Sequence, residues 1–237
     1  MDETGRRATD DTGIDGAETR VAAALQQVKP HLRGWLHVGM TPLALAAGVV
    51  LVVLATTTEG KISAAVFAGT AVLLFGTSAI YHRGTWSPRV GEVLRRLDHS
   101  NIFLIIAGSY TPFALLLPFD QARTLLVLVW GGALLGVVFR VFWTDAPRWL
   151  YVPLYVVLGW VAVFYFGPLV EHAGGAVMTW VVIGGVLYSL GALVYGIKRP
   201  NFSPRWFGFH EVFHALTVLA FTAHVVAASL ALTGSTA

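Results

Sequence analysis

From residue 35 to residue 232 the chain is a succession of apolar stretches, each about twenty residues long, parted by a few polar residues. A bilayer core takes about 20 apolar residues per helix. Lipid cannot solvate a bare peptide group, so each stretch must satisfy its own backbone as a helix. Seven such segments run near 35–56, 62–82, 98–117, 122–143, 149–170, 175–196 and 209–232. The sequence therefore predicts an all-α fold, a bundle of seven transmembrane helices in a multi-pass protein of the cell membrane. The polar breaks include Thr57 to Lys61, Arg83 to Leu97, Pro118 to Gln121, Thr144 to Arg148, Glu171 to Gly174 and Lys198 to Pro204. Within the second of these, Pro88 to Leu97 reads as a short amphipathic helix on the membrane surface.

Composition agrees. The chain is 56% hydrophobic and only 12% charged, about half the roughly 25% charged residues of a soluble domain. The net charge of +3 is small and gives no sign of a nucleic-acid partner. Residues 1–30 differ from the rest. They are rich in Asp, Thr, Gly and Arg and cannot bury a core. They are expected to form a polar, largely disordered tail with a short helix near Glu18 to Val28, ahead of a membrane domain over 31–237. No apolar run follows the tail's arginines, so it is not read as a cleaved signal peptide.

Charge asymmetry predicts the orientation. Arg6, Arg7, Arg20, Lys29 and Arg33 precede the first span, and Arg83, Arg89, Arg95 and Arg96 follow the second. Arg140 and Arg148 flank the fourth connection, and Lys198, Arg199 and Arg205 the sixth. Fourteen basic residues thus fall on one side, against Lys61 and Arg123 on the other. The expectation is a cytoplasmic N-terminus and an outside C-terminus. Trp35, Trp143, Trp149 and Trp206 fall at span ends on the same inner side, as an aromatic belt should. Gly132 and Gly136 form a GxxxG pair, and Gly131, Gly184, Gly185 and Gly191 add small faces where helices can approach closely.

On this frame the unusual residues collect in one leaflet. His82 ends span 2, Asp98 begins span 3, and His210 and His214 begin span 7. Ionisable groups in membrane spans are costly and mark functional sites. His210 and His214 are four apart, on one helix face, the spacing at which two imidazoles grip one zinc ion. The chain has no cysteine, so any metal must be held by His, Asp or Glu. His82 supplies a third imidazole, and three leave a zinc position open, as in catalytic sites. Ser78 shares the helix face of His82. Asp98 lies across the site, placed to hold a zinc-bound water whose pKa the metal lowers toward ~7.

His210-Glu211-Val212-Phe213-His214 also spells HExxH, in which Glu211 would be the general base of an intramembrane metalloprotease. That reading lacks a matching third ligand: the only Asp-Gly pair is Asp15-Gly16, in the tail. Glu211 is expected to pair with a loop arginine instead. His224, ten residues past His214, is expected to hydrogen-bond between helices. His31, His37, His99 and His172 read as interface or loop residues, with His99 a candidate for support behind Asp98.

These motifs carry a resemblance. Ser78-x-x-x-His82, then Leu97-Asp98-His99-Ser100-Asn101 leading into Ala107-Gly108-Ser109-Tyr110-Thr111-Pro112, then His210-x-x-x-His214 fall in order at the corresponding span ends. From about Arg33 to Leu232 the chain resembles the progestin and adipoQ receptor / hemolysin III family, and its short tails resemble the bacterial hemolysin III branch. The resemblance implies that His82, His210 and His214 bind Zn2+ near the cytoplasmic side. It also implies that Asp98 orients the water and that Ser78 assists the water or the oxyanion. Some animal relatives have ceramidase-like activity, as do the related alkaline ceramidases, and some members are linked to membrane lipid and fluidity control. The long cytosolic N-terminal region of the animal receptors has no counterpart here, so hormone signalling is not implied.

The expected function is zinc-dependent hydrolysis of a lipid amide or ester, with membrane lipids as partners and a cavity for an acyl chain or ceramide-like ligand. A pore-forming cytolysin and a sensor of membrane lipid state are the rival expectations. Nothing in the sequence speaks to the oligomeric state.

Overall fold

The computed structural model describes residues 30–203 and 205–234. The expectations for residues 1–29, including a helix near Glu18 to Val28, lie outside the described residues. The helices are α1 (Trp35–Leu54), α2 (Thr58–Arg83), α3 (Pro88–Ala114), α4 (Phe119–Phe142), α5 (Arg148–Gly159), a 3-10 turn (Val161–Tyr165), α6 (Phe166–Ala173), α7 (Gly175–Ile197) and α8 (Phe209–Leu232). No β-strand occurs among the described residues; the one bridge joins Ser203 to Phe207.

Among the described residues six helical stretches are long and apolar enough to cross a membrane, with α5, the turn and α6 counting as one. The expected third span is the exception, for a physical reason. α3 is the longest helix, at 27 residues, and it packs against α2, α4, α5, α6 and α8. Ser100, Asn101, Ser109 and Thr111 are buried inside the bundle. A central helix can carry polar side chains because it meets protein, not lipid. The Asn101 amide is satisfied there, donating to the Leu73 carbonyl at 3.0 Å and to Thr77 Oγ1 at 3.0 Å.

The surface helix expected over Pro88 to Leu97 is not separate. It is the first third of α3. Ser87 caps it, accepting from the Val90 N–H, and Pro88 stands in the first turn, where a missing N–H costs nothing. Glu92 then ties this turn together, accepting from Arg95 Nε at 3.0 Å and Arg96 Nε at 3.1 Å. Burial opposes its charged form, yet the hydrogen bonds of Arg96 and Arg95 together outweigh it and hold the carboxyl below its ordinary range. Arg140, counted above with a connection, lies inside α4 and is buried at 1% exposure. Its guanidinium sits over the Tyr151 ring, 4.3 Å from the centroid.

Neighbours in sequence pack as neighbours in space: α1 on α2, α2 on α3, α3 on α4, α7 on α8. α8 then returns against α1, which closes the ring and brings the first and last helices together. Gly136 of the expected GxxxG pair meets the Phe103 ring, so α3 and α4 approach closely there. Gly131 faces open space.

The fifth span is broken, where the sequence predicted one helix. α5 ends at Gly159 and the 3-10 turn follows. A break inside hydrocarbon frees backbone groups that must find partners within the protein. Tyr110 of α3 supplies them: its hydroxyl donates to the Gly159 carbonyl at 2.6 Å and accepts from the Ala162 N–H at 2.9 Å. Tyr110→Phe keeps the ring and removes both bonds. It is expected to destabilise the protein by about 1–3 kcal/mol, the cost of buried groups left unpaired. Thermal unfolding in detergent measures this, and an unchanged midpoint would mean that water replaces the hydroxyl.

Candidate metal centre

The ring closure of α1, α2 and α8 sets the site. His82 ends α2, Asp98 lies in the third turn of α3, and His210 and His214 occupy the first turns of α8. The start of α8 is held by Glu211. Its Oε2 accepts the Gly208 N–H at 2.8 Å, the carboxylate half of a capping box. Its Oε1 accepts from Arg33 Nε at 2.7 Å. The Phe209 N–H is taken by Asn201 Oδ1 at 2.8 Å. Glu211 is 1% exposed, so this carboxylate is a buried charge with both oxygens engaged. It pairs with an arginine, as expected, and does not turn toward the histidines as a zincin base would.

The three predicted imidazoles meet. One ring nitrogen from each of His82, His210 and His214 lies within 4.8 Å of the others. His210 Nε2 and His82 Nε2 are 3.2 Å apart. Two nitrogens held at zinc by bonds of 2.0–2.1 Å in tetrahedral geometry stand about 3.3 Å apart. The pair is thus either joined by a shared proton or spaced as two ligands of one ion. The donor set is three imidazoles from two helices, 128 residues apart in the chain. It suits zinc with one position left open.

Asp98 joins the group from α3, with Oδ2 3.7 Å from His82 Nε2. Ser78 is its hydrogen-bonding partner. Both are buried, at 9% and 2% exposure. The backbone also closes on the site. Gly34 has φ +83°, and a Cβ there would stand 2.8 Å from His82 Cβ. Only glycine combines that conformation with that approach.

The sequence reads His37 as an interface or loop residue, but the structure buries it at 2% exposure. Its ring stacks on His214 at 3.8 Å between centroids and 9° between planes, with Phe75 edge-on at 5.0 Å. Neither of its nitrogens has a partner. Face-to-face stacking turns those nitrogens away from the ion position, so His37 braces His214 and is not a fourth ligand. The signal for it was the span frame itself, which puts His37 at the same membrane depth as the other three. His99 is directed elsewhere. Its Nδ1 meets the Arg95 carbonyl at 2.7 Å and its Nε2 meets the Tyr195 hydroxyl at 3.3 Å. It reaches His210 only through the Tyr195 ring, 5.8 Å from the His210 ring. His31 lies against Trp206 with the rings tilted by 43°, and His172 is bonded to the Pro168 carbonyl at an exposed helix end.

Two hollows adjoin the cluster. A shallow one of about 490 Å³ opens at the surface beside His82, lined by Arg33, Trp35, Arg83 and Trp206 among others. The other is an interior cavity of about 140 Å³. Ser78, Asp98, His210 and His214 line one end of it. Ile102, Ile106, Phe213 and Val152 carry it onward, and the broken fifth span, at Gly159, Trp160 and Ala162, walls its far part. Non-helical backbone at membrane depth is tolerated where it lines such a cavity.

Comparison with known proteins gives the family. Residues 25–225 match the family described as Haemolysin-III related. The chain belongs to the haemolysin-III family. It is 34% identical over 158 residues to the Hemolysin-3 homolog of Bacillus subtilis (strain 168), an alignment covering 66% of this chain and 71% of that protein. It is 31% identical over 176 residues to Hemolysin-3 of Bacillus cereus, covering 73% and 77%. An Adiponectin receptor protein of Drosophila melanogaster is 25% identical over 191 residues, covering 71% of this chain and 42% of that one. This haemolysin-III protein is accordingly a multi-pass membrane protein of the hemolysin III / adipoQ receptor type.

In this haemolysin-III chain Glu211→Gln is expected to lower stability by roughly 2–3 kcal/mol, because one bond of a buried, doubly engaged carboxylate is lost. Bound metal is expected to stay at the wild-type level. Unfolding curves and metal analysis together check it. Wild-type stability with activity abolished would instead mark Glu211 as a base.

Proposed function

We propose that this protein is a seven-span zinc protein of the cell membrane, with a cytoplasmic N-terminus, that hydrolyses an amide or ester bond of a membrane lipid in the manner of a ceramidase. One observation carries the reading: three imidazoles, a Ser78–Asp98 pair and the end of a predominantly apolar cavity share one small volume. His82, His210 and His214 would hold the ion. When bound, zinc supplies a Lewis acid that lowers the pKa of its water toward ~7 and polarises a carbonyl oxygen.

The chain's own residues do the rest. Asp98 stands one hydrogen bond from the space between the imidazoles. It takes a proton as general base and returns it to the departing nitrogen or oxygen. Ser78 bonds the carboxylate and keeps it aimed. His37 and Phe75 hold the His214 ring in its plane. The cavity receives the acyl chain and keeps bulk water from it, while the hollow beside His82 gives polar head groups an approach. The fourteen basic residues gathered on one side, against two on the other, support a cytoplasmic site.

The pore reading has less behind it. A conducting path needs a continuous polar wall, and beyond the imidazoles the cavity is lined mainly by apolar side chains.

Two measurements test the proposal. His210→Ala is expected to lose zinc from the purified protein. Asp98→Ala is expected to keep zinc while hydrolysis of labelled ceramides and other N-acyl lipids falls by about 10²–10⁴, the usual contribution of a general base. Full zinc content in the first, or wild-type turnover in the second, would overturn the assignment.

A further inference from the structure

The cavity has a second polar end. His224 lies ten residues beyond His214 on α8, about 15 Å along the helix axis. It is 93% buried (7% exposed). Its ring is tucked against Gly184 of α7, where a Cβ would stand 2.7 Å from Nε2, and it is hydrogen-bonded to the backbone of Val181. Within a helix the N–H is already committed, so the group that can take a second bond is the carbonyl. The ring therefore donates there. A neutral imidazole with one nitrogen donating presents the other as an acceptor. That other atom, Nδ1, has no partner.

Tyr188 stands beside it, its ring 5.6 Å from the His224 ring. Its hydroxyl is buried and also has no partner. Both side chains line the same cavity as the metal centre. An unpaired acceptor and an unpaired hydroxyl, side by side in an apolar interior, are each costly to leave without a partner. No hydrogen-bonding group among the described residues reaches either atom.

We propose that His224 and Tyr188 form a second recognition point, which binds a hydroxyl group carried partway along the acyl chain. A hydroxyl is the smallest group that answers both at once: it donates to His224 Nδ1 and accepts from the Tyr188 O–H. This rests on the reading of the cavity as an acyl-chain site, and it adds the class of chain preferred: hydroxylated over plain. A plain chain would cover the two polar atoms and leave them unpaired. Sites built this way discriminate against ligands that lack the polar group.

Binding of free fatty acids to the purified, metal-loaded protein in detergent tests it, using stearate and a series of monohydroxystearates with the hydroxyl moved along the chain. One position in the series is expected to bind about ten-fold tighter than stearate, the worth of one to two net hydrogen bonds. Tyr188→Phe, which removes a single oxygen, is expected to abolish the preference while stearate binds as before. His224→Leu is expected to do the same, with its fold checked by zinc content. Equal binding of stearate and every hydroxystearate overturns the proposal and leaves the acyl cavity standing; the two atoms then hold only a water molecule. A preference that survives Tyr188→Phe also overturns it. Failure of stearate and all hydroxystearates to bind sinks the acyl cavity itself, and this inference with it.

Discussion

Hydrocarbon solvates neither backbone nor charge, and most of this molecule's detail answers that constraint. Each polar group drawn inside the bundle has to find its partner there. Tyr110 satisfies the broken fifth span. Arg33 and the Gly208 N–H satisfy Glu211. Asn101 pairs with the backbone and a threonine of α2. Against that background both nitrogens of His37, the Tyr188 hydroxyl and His224 Nδ1 stand out as unpartnered groups bordering one cavity. The imidazole cluster and Asp98 close one end, with His37 behind His214, and Tyr188 and His224 mark the other. The unpartnered groups on this internal space are the ones a ligand entering it would answer, whereas Ser100 Oγ and Arg140 Nε are unpartnered elsewhere in the bundle.

The Arg33–Glu211 pair shows how fold and site are joined. It links the segment before α1 to the first turn of α8, across 178 residues of sequence. Cutting it would leave a carboxylate uncompensated inside the protein, a change that typically costs 3–5 kcal/mol. The same closure brings α1 and α8 together, so His37 can stack on His214 and the Gly34 backbone can rest on His82. The histidines are positioned by helix packing, and the charges outside the cluster keep the helix ends in register.

Much of this was legible in the chain. The apolar stretches gave the helices, because lipid leaves no alternative. The four-residue spacing of His210 and His214, with His82 and Asp98 at matching depth, indicated the cluster, because depth along a span can be counted. Other features could not be counted. Pro88 to Leu97 looked amphipathic and separate, yet it continues into α3, since nothing in its sequence stops a helix before Asp98. The break after Gly159 depends on a hydroxyl from another helix. His37 and Tyr188 matter through which helices stand beside them, and helix rotation within a bundle leaves little trace in a single sequence.

The most direct test of the account is X-ray absorption at the zinc edge of the purified protein. Three imidazole nitrogens and one further light atom near 2.0 Å are expected around the metal. A shell with one imidazole or none, or zinc absent from freshly purified protein, would contradict the convergence of His82, His210 and His214 on a single ion.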